Sequence, residues 1–305
     1  MKKLFIGIYI ITLSLNTFAC EQFGDTIYID GIKWVLLGKP IGNKSLYNSL
    51  KEVFPEDRIF STNNYDGYIG YWSIKNEKLC LDSVKVTTYN QETKRYHDCS
   101  ISSADIQRVF KKYYDKDEII ATWVKGTIRV ARGKLLLYEE MAYERNYEQE
   151  QIITFKHGRI IERQLFHNRL VIDGFSLQDL WYQGQEEVKK KLPLKTDNYP
   201  ELNDVKRICF NISPIQIDSL GNMVGNCKIE AFIVHKVSVD PEKIEKLLLH
   251  NRYEPYKIGK KIKGLGDEMK NLLKNIHPWR TYLINGQYIS SYDREKGEYP
   301  YIIKD

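Results

Sequence analysis

The residues best suited to chemistry lie in one run, YEEMAYERNYEQE at 138–150. Glu139, Glu140, Glu144, Glu148 and Glu150 stand there among Tyr138, Tyr143 and Tyr147, with Arg145 between them. Two carboxylates beside aromatic platforms are what glycoside hydrolysis requires, one as general acid and one as base or nucleophile. Tyr and Arg are also favoured at contact surfaces. The run therefore supports two readings. One is a binding surface of Tyr138, Glu139, Glu140, Tyr143, Glu144, Arg145, Tyr147 and Glu148. The alternative is an envelope glycan hydrolase using carboxylates of the 139–150 loop. Carboxylates are common and are normally solvated in a connection between strands, so binding is the reading adopted and no catalytic residue is assigned.

Other chemistry is hard to find. His97, His157, His167, His235, His250 and His277 form no H-x-H or H-E-x-x-H spacing, and no C-x-x-C occurs, so neither a metal site nor a cofactor is expected. There is no G-x-S-x-G elbow. The Gly- and Lys-rich stretch at 259–266 lacks the phosphate-cradling order G-x-x-x-x-G-K-[ST] and reads as a basic loop.

The stretch that must position the acidic run is 121–166, where apolar and polar residues alternate. Arg132-Gly133 and His157-Gly158 interrupt it as tight turns do, giving half-buried antiparallel strands. Around it, Asp30-Gly31 and Asn76-Glu77 mark hairpins, and Asn43 and Ser103 open helices with Leu46 and Leu50, and Ile106 and Phe110, on their apolar faces. The segment 89–95 reads as a polar loop. Helix followed by a Trp-led hairpin occurs at 45–86, with Trp72, and again at 103–138, with Trp123, which suggests an internal duplication.

The 305 residues leave room for two domains, and 22 tyrosines favour pleated surfaces. One helix is read at 176–190. The Pro-containing, aperiodic stretch 192–205 reads as the linker between a β-rich domain at 20–191 and a smaller one at 206–305. The fold class is α+β: antiparallel hairpins with two or three helices, then a small C-terminal α+β domain. In that second part, RICFNISPIQI and NCKIEAFIVHKV read as strands flanking a turn at 218–222. A helix opens at Asp240-Pro241, a Lys- and Gly-rich loop spans 253–266, a second helix runs over 267–276, and Asn285-Gly286 turns a last hairpin.

Residues 1–19 combine Lys2 and Lys3, an apolar run at 4–15 too short to span a bilayer comfortably, and small residues at Thr17 and Ala19. This is a secretory signal pattern, so an extracytoplasmic location is expected, in the periplasm or at the outer membrane. Cys20 follows the cut, and the segment resembles the lipobox of bacterial lipoproteins. That resemblance implies lipidation of Cys20 and a membrane anchor; Thr17 and Phe18 depart from the usual Leu and small residue, so ordinary cleavage stays open. In an oxidising compartment Cys80, Cys99, Cys209 and Cys227 invite disulfides, with free thiols an equal alternative. The net charge of +6 shrinks once Lys2 and Lys3 are removed and its lysines are dispersed, so no nucleic-acid partner is expected.

Two further resemblances bear on the chain. Over 206–305, the D-x-x-G turn at 218–221, a helix, Pro278-Trp279 and the Asn285-Gly286 hairpin resemble the C-terminal domain of TonB-type proteins. This implies a partner bound by strand addition. The chain departs from that family by a helical insertion at 240–265, no Pro-rich linker, and a cleavable leader in place of a retained anchor. The run at 121–135 resembles segments of uncharacterised bacterial envelope proteins and implies no activity. Taken together, a non-enzymatic envelope binding or protein-interaction module is expected, with an envelope protein or a glycan as ligand.

Overall fold

The computed structural model describes residues 22–138, 143–236, 256–290 and 297–303. The chain is a mixed α+β protein of two compact units, 1–165 and 166–305, one dominated by a large sheet and one smaller and richer in helix.

In the first unit the strands are β1 (Asp25–Ile29), β2 (Ile32–Leu36), β3 (Ile69–Lys75), β4 (Lys78–Asn90), β5 (Arg95–Ser100), β6 (Tyr114–Asp115), β7 (Glu118–Ile120), β8 (Gly126–Tyr138), β9 (Arg145–Lys156) and β10 (Arg159–His167). They form one ten-stranded sheet in the order β10-β9-β8-β2-β1-β3-β4-β7-β6, with β5 on β4. Arg159 pairs with Lys78, Leu79 N–H donates to Gly158 O, and Ile160 N–H donates to Glu77 O. The sheet therefore curls back on itself where the start of β10 meets the start of β4, which covers part of the open edge of β10. Ile27, Ile29, Trp34, Leu36, Trp72, Val84, Val130, Ile153 and Phe155 share the core inside this curl. Helices α1 (Lys44–Lys51) and α2 (Ser103–Val109) touch each other and add Leu46, Leu50 and Ile106.

The hairpin turns at Asp30-Gly31, Asn76-Glu77 and His157-Gly158 all have positive φ at both positions, as two-residue turns between twisted strands require. Gly158 is the least replaceable. Its φ is +72°, and a Cβ there would stand 2.7 Å from Ala121 O. Gly158→Ala is expected to cost about 1–3 kcal/mol, seen as a lower urea midpoint with an unchanged slope.

Several expectations need correction. Gly133 does not turn the chain: β8 runs through it, and the register with β9 slips there and again by Leu137. It is a bulge, the other use of a positive-φ glycine in a strand. Trp123 stands in a turn ahead of β8, whereas Trp72 lies within β3, so the two copies of the suggested duplication differ in structure. The hairpins are antiparallel except that β1 pairs with β3 in parallel. The expected loop at 89–95 is shorter, because β4 extends to Asn90 and β5 starts at Arg95. Ser102, not Ser103, caps α2, its Oγ accepting from Asp105 N–H.

The second unit holds two sheets. Its strands are β11 (Arg169–Ile172), β12 (Arg207–Ile212), β13 (Gln216–Ile217), β14 (Met223–Val224), β15 (Ile229–Lys236), β16 (Tyr256–Ile262), β17 (Thr281–Ile284), β18 (Gln287–Ile289) and β19 (Gly297–Ile302). One sheet runs β16-β15-β12-β19 and the other β11-β17-β18-β13-β14. Helices α3 (Leu177–Tyr182) and α4 (Gln185–Lys191) replace the single helix expected at 176–190, broken at Gly184 with φ +101°. Helix α5 (Leu265–Lys274) lies on β15 through Leu265, Met269 and Leu273.

Here too the outcome differs from the reading in places. The division at 165/166 falls well before 192–205, which belongs to the second unit. Leu192 and Leu202 are buried in its core, and Glu268 of α5 accepts from Lys195 N–H and Tyr199 Oη–H. The run at 207–217 is two strands in different sheets, β12 pairing with β15 while the 218–222 turn joins β13 to β14. Most of the expected basic loop at 253–266 is β16 and the start of α5; lysines on an edge strand hide its alternation. The helix expected from Asp240 lies outside the described residues. Cys80, Cys99 and Cys227 are free thiols, the alternative to disulfides.

Candidate functional site

The nominated residues span the end of β8, the connection to β9 and the first residues of β9. Glu139 and Glu140 lie outside the described residues, as does Cys20. Tyr138 ends β8 half-exposed. From Tyr143 onward, successive residues are sent to different places.

Tyr143 and Glu144 line a cleft of about 670 Å³ with Lys39, Pro40, Trp123 and Arg129. Trp123 is held by Tyr113 at 4.5 Å, Phe110 at 5.5 Å and Trp72 at 6.3 Å between ring centres, and its Nε1–H donates to Pro40 O. Arg129 Nη2 donates to Tyr143 O at 2.6 Å, tying β8 to the connection. Burial, with the Asp25 and Asp66 charges added, pushes the Tyr143 phenol well above its usual range, so it stays protonated.

Arg145 and Tyr147 line a second cleft, of about 760 Å³, with Phe23, Phe60, Tyr96 and Asp98. Arg145 is buried and donates from Nη2 to Gln22 O. Glu148 points to neither cleft. Its Oε2 accepts from Lys134 N–H at 2.9 Å and so caps the bulge at Gly133. Glu150 is fully buried; its carboxylate accepts from Asn146 Nδ2 at 2.9 and 3.1 Å and from Tyr147 N–H at 2.9 Å, with Arg129 Nη1 at 3.9 Å. Among the described residues, each cleft is thus lined by a single carboxylate, Glu144 in one and Asp98 in the other.

Beside the first cleft lies a buried ionic group that sequence reading did not single out. Asp25 is inward on β1, and its Oδ1 accepts from Lys39 Nζ at 2.8 Å and Gly70 N–H at 2.9 Å, its Oδ2 from Trp72 Nε1–H at 2.8 Å. Lys39 also donates to Tyr68 O at 2.6 Å and lies 4.6 Å from the centre of the Tyr68 ring. Desolvation raises the Asp25 carboxyl above the ordinary range, against the pull of Lys39, Gly70 and Trp72. The signal was present in DTIYI, where Asp25 has the same parity as the inward Ile27 and Ile29.

No protein-family model, curated protein or solved structure matches this chain. Among the described residues, no group of three or more His, Cys, Asp or Glu side chains is placed to hold a metal ion. No described helix is long and apolar enough to cross a membrane.

Proposed function

We propose that this chain is an exported cell-envelope lipoprotein acting as a non-enzymatic binding module, its first unit offering the two clefts that flank the start of β9. The observation that carries the reading is the distribution of carboxylates. A glycosidase places two across one cleft at about 5–9.5 Å, whereas among the described residues Glu148 caps a bulge, Glu150 lies inside the core, and each cleft is lined by one. Clefts of this size that combine aromatic walls with polar side chains suit ligand binding.

The resemblance to TonB-type C-terminal domains adds a second proposed contact, strand addition to the four-stranded sheet of the second unit. The two edges of that sheet are not equivalent. Along β19, Pro300 O accepts from Trp181 Nε1–H and Gln185 Nε2, while Ile302 N–H donates to Gln185 Oε1. Side chains of α3 and α4 thus occupy that edge. A partner strand is assigned to β16.

Two measurements test the proposal. In cells fed a lipid precursor, the protein is expected to label and to partition with membranes, and Cys20→Ser to lose both; equal labelling of the two would end the lipoprotein assignment. The purified protein, incubated with envelope extract, is expected to retain a defined protein or glycan. Retention of nothing above background would end the binding-module assignment.

A further inference from the structure

We infer that the cleft walled by Phe23, Phe60, Tyr96 and Tyr147 binds a neutral oligosaccharide, with sugar rings stacked on these side chains. This rests on the binding-module reading and names the class of ligand for one of its two clefts.

The first argument is exposure. Phe23, Phe60 and Tyr96 remain 50%, 54% and 69% exposed although all three line one cleft. Large rings left in water side by side mark contact sites, because their burial is deferred to a partner.

The second argument is that the walls are fixed. The Arg58 guanidinium lies 4.2 Å from the Phe60 ring centre and 4.6 Å from that of Phe54, so Phe60 is backed by Arg58 and, behind it, Phe54. Gly67 leaves room for that stack, since a Cβ there would come within 3.2 Å of the Phe60 ring. Tyr96 on β5 leans on Tyr89 of β4, with ring centres 5.3 Å apart. Phe23 is clamped through its backbone: its N–H donates to Asn63 O, and neighbouring Gln22 donates to Thr62 O and accepts from Tyr65 N–H. Rings held this way lose little freedom when a ligand arrives.

The third argument concerns the ligand. A sugar ring has a face of C–H groups and a rim of hydroxyls that donate and accept. The cleft supplies aromatic surface for the face. For the rim it has Ser61, Asn64, Thr87 and Asp98, with Thr87 Oγ1 donating to Asp98 Oδ1 at 3.0 Å. One Arg and one Asp line it, so their charges balance. That balance disfavours a phosphate-rich or strongly acidic ligand. A peptide, the competing occupant, carries few hydroxyls to match such a rim.

The test is calorimetric titration of the full-chain protein with cellotetraose, chitotetraose and maltotetraose. At least one is expected to bind saturably. Tyr96→Ala and Phe60→Ala are each expected to weaken that binding about tenfold, while Tyr96→Phe retains it. The exposed Tyr96 variants should keep the wild-type thermal midpoint, which separates lost contact from lost fold. If no tetrasaccharide binds, or if Tyr96→Ala binds as tightly as wild type, the inference is wrong. Should envelope extract then yield a protein ligand whose capture Tyr96→Ala abolishes, the binding-module reading survives and only the glycan assignment falls. If neither sugar nor envelope component binds, both fall.

Discussion

Asp25→Ala is expected to remove about 3–5 kcal/mol from the stability of the first unit, the loss that follows when one member of a buried ion pair is deleted. The substitution leaves Lys39 without its counter-charge and strands the Gly70 N–H and Trp72 Nε1–H donors in the core. Asp25→Asn keeps acceptor oxygen for some of these donors and is expected to cost less. The pair also separates in its pH behaviour. Burial raises the folded-state carboxyl value, so the folded protein holds a proton to higher pH than the unfolded chain, whose carboxyl titrates near pH ~4. The group's contribution is therefore fully present below that unfolded value and is lost as pH rises through the folded one. Urea melts at increasing pH above about 4 should show this fall in wild type and its absence in Asp25→Asn. A wild-type-like Asp25→Ala, or an unchanged slope in Asp25→Asn, would refute the assignment.

What the sequence discloses about this fold follows the range of the forces involved. Asp30-Gly31, His157-Gly158 and Asn285-Gly286 were legible because positive φ is a local demand that few residues meet. Gly133 carries the same local signal with another meaning, since whether a positive-φ glycine turns or bulges a strand is decided by a partner. Here that partner is Glu148, fifteen residues on, whose carboxylate takes the Lys134 N–H. Strand β5 was hidden because all six of its residues are exposed and leave no alternation to read. The stretch 192–205 imitates a linker in composition, and only a few long-range anchors, Leu192, Leu202 and Glu268, hold it against the second unit. The candidate site divides in the same way. Tyr143, Glu144, Arg145 and Tyr147 could be nominated from a local run of chemical side chains. Phe23, Phe60 and Tyr96 could not, because nothing but the folded sheet brings them together.

The second large effect is expected at Glu150, where the binding and hydrolytic readings predict different things. Glu150→Ala removes the carboxylate that accepts from Asn146 Nδ2 and Tyr147 N–H and takes a negative charge from beside Arg129. Each buried group left unsatisfied costs about 1–3 kcal/mol, so a loss of about 3–5 kcal/mol is expected by urea denaturation. Glu148→Ala, at an exposed position with one bond to the bulge, should lose no more than about 1 kcal/mol. Glu144→Gln, exposed at the rim of the first cleft, should leave stability unchanged. If a carboxylate of this run were catalytic, the order would change: a stable Glu144→Gln or Glu148→Gln protein would bind glycan normally yet lose cleavage of it. A structural carboxylate loses function only as fast as it loses fold. Measuring melting and glycan cleavage on these four variants therefore decides between the readings, and a folded variant with abolished cleavage would reverse the one proposed above.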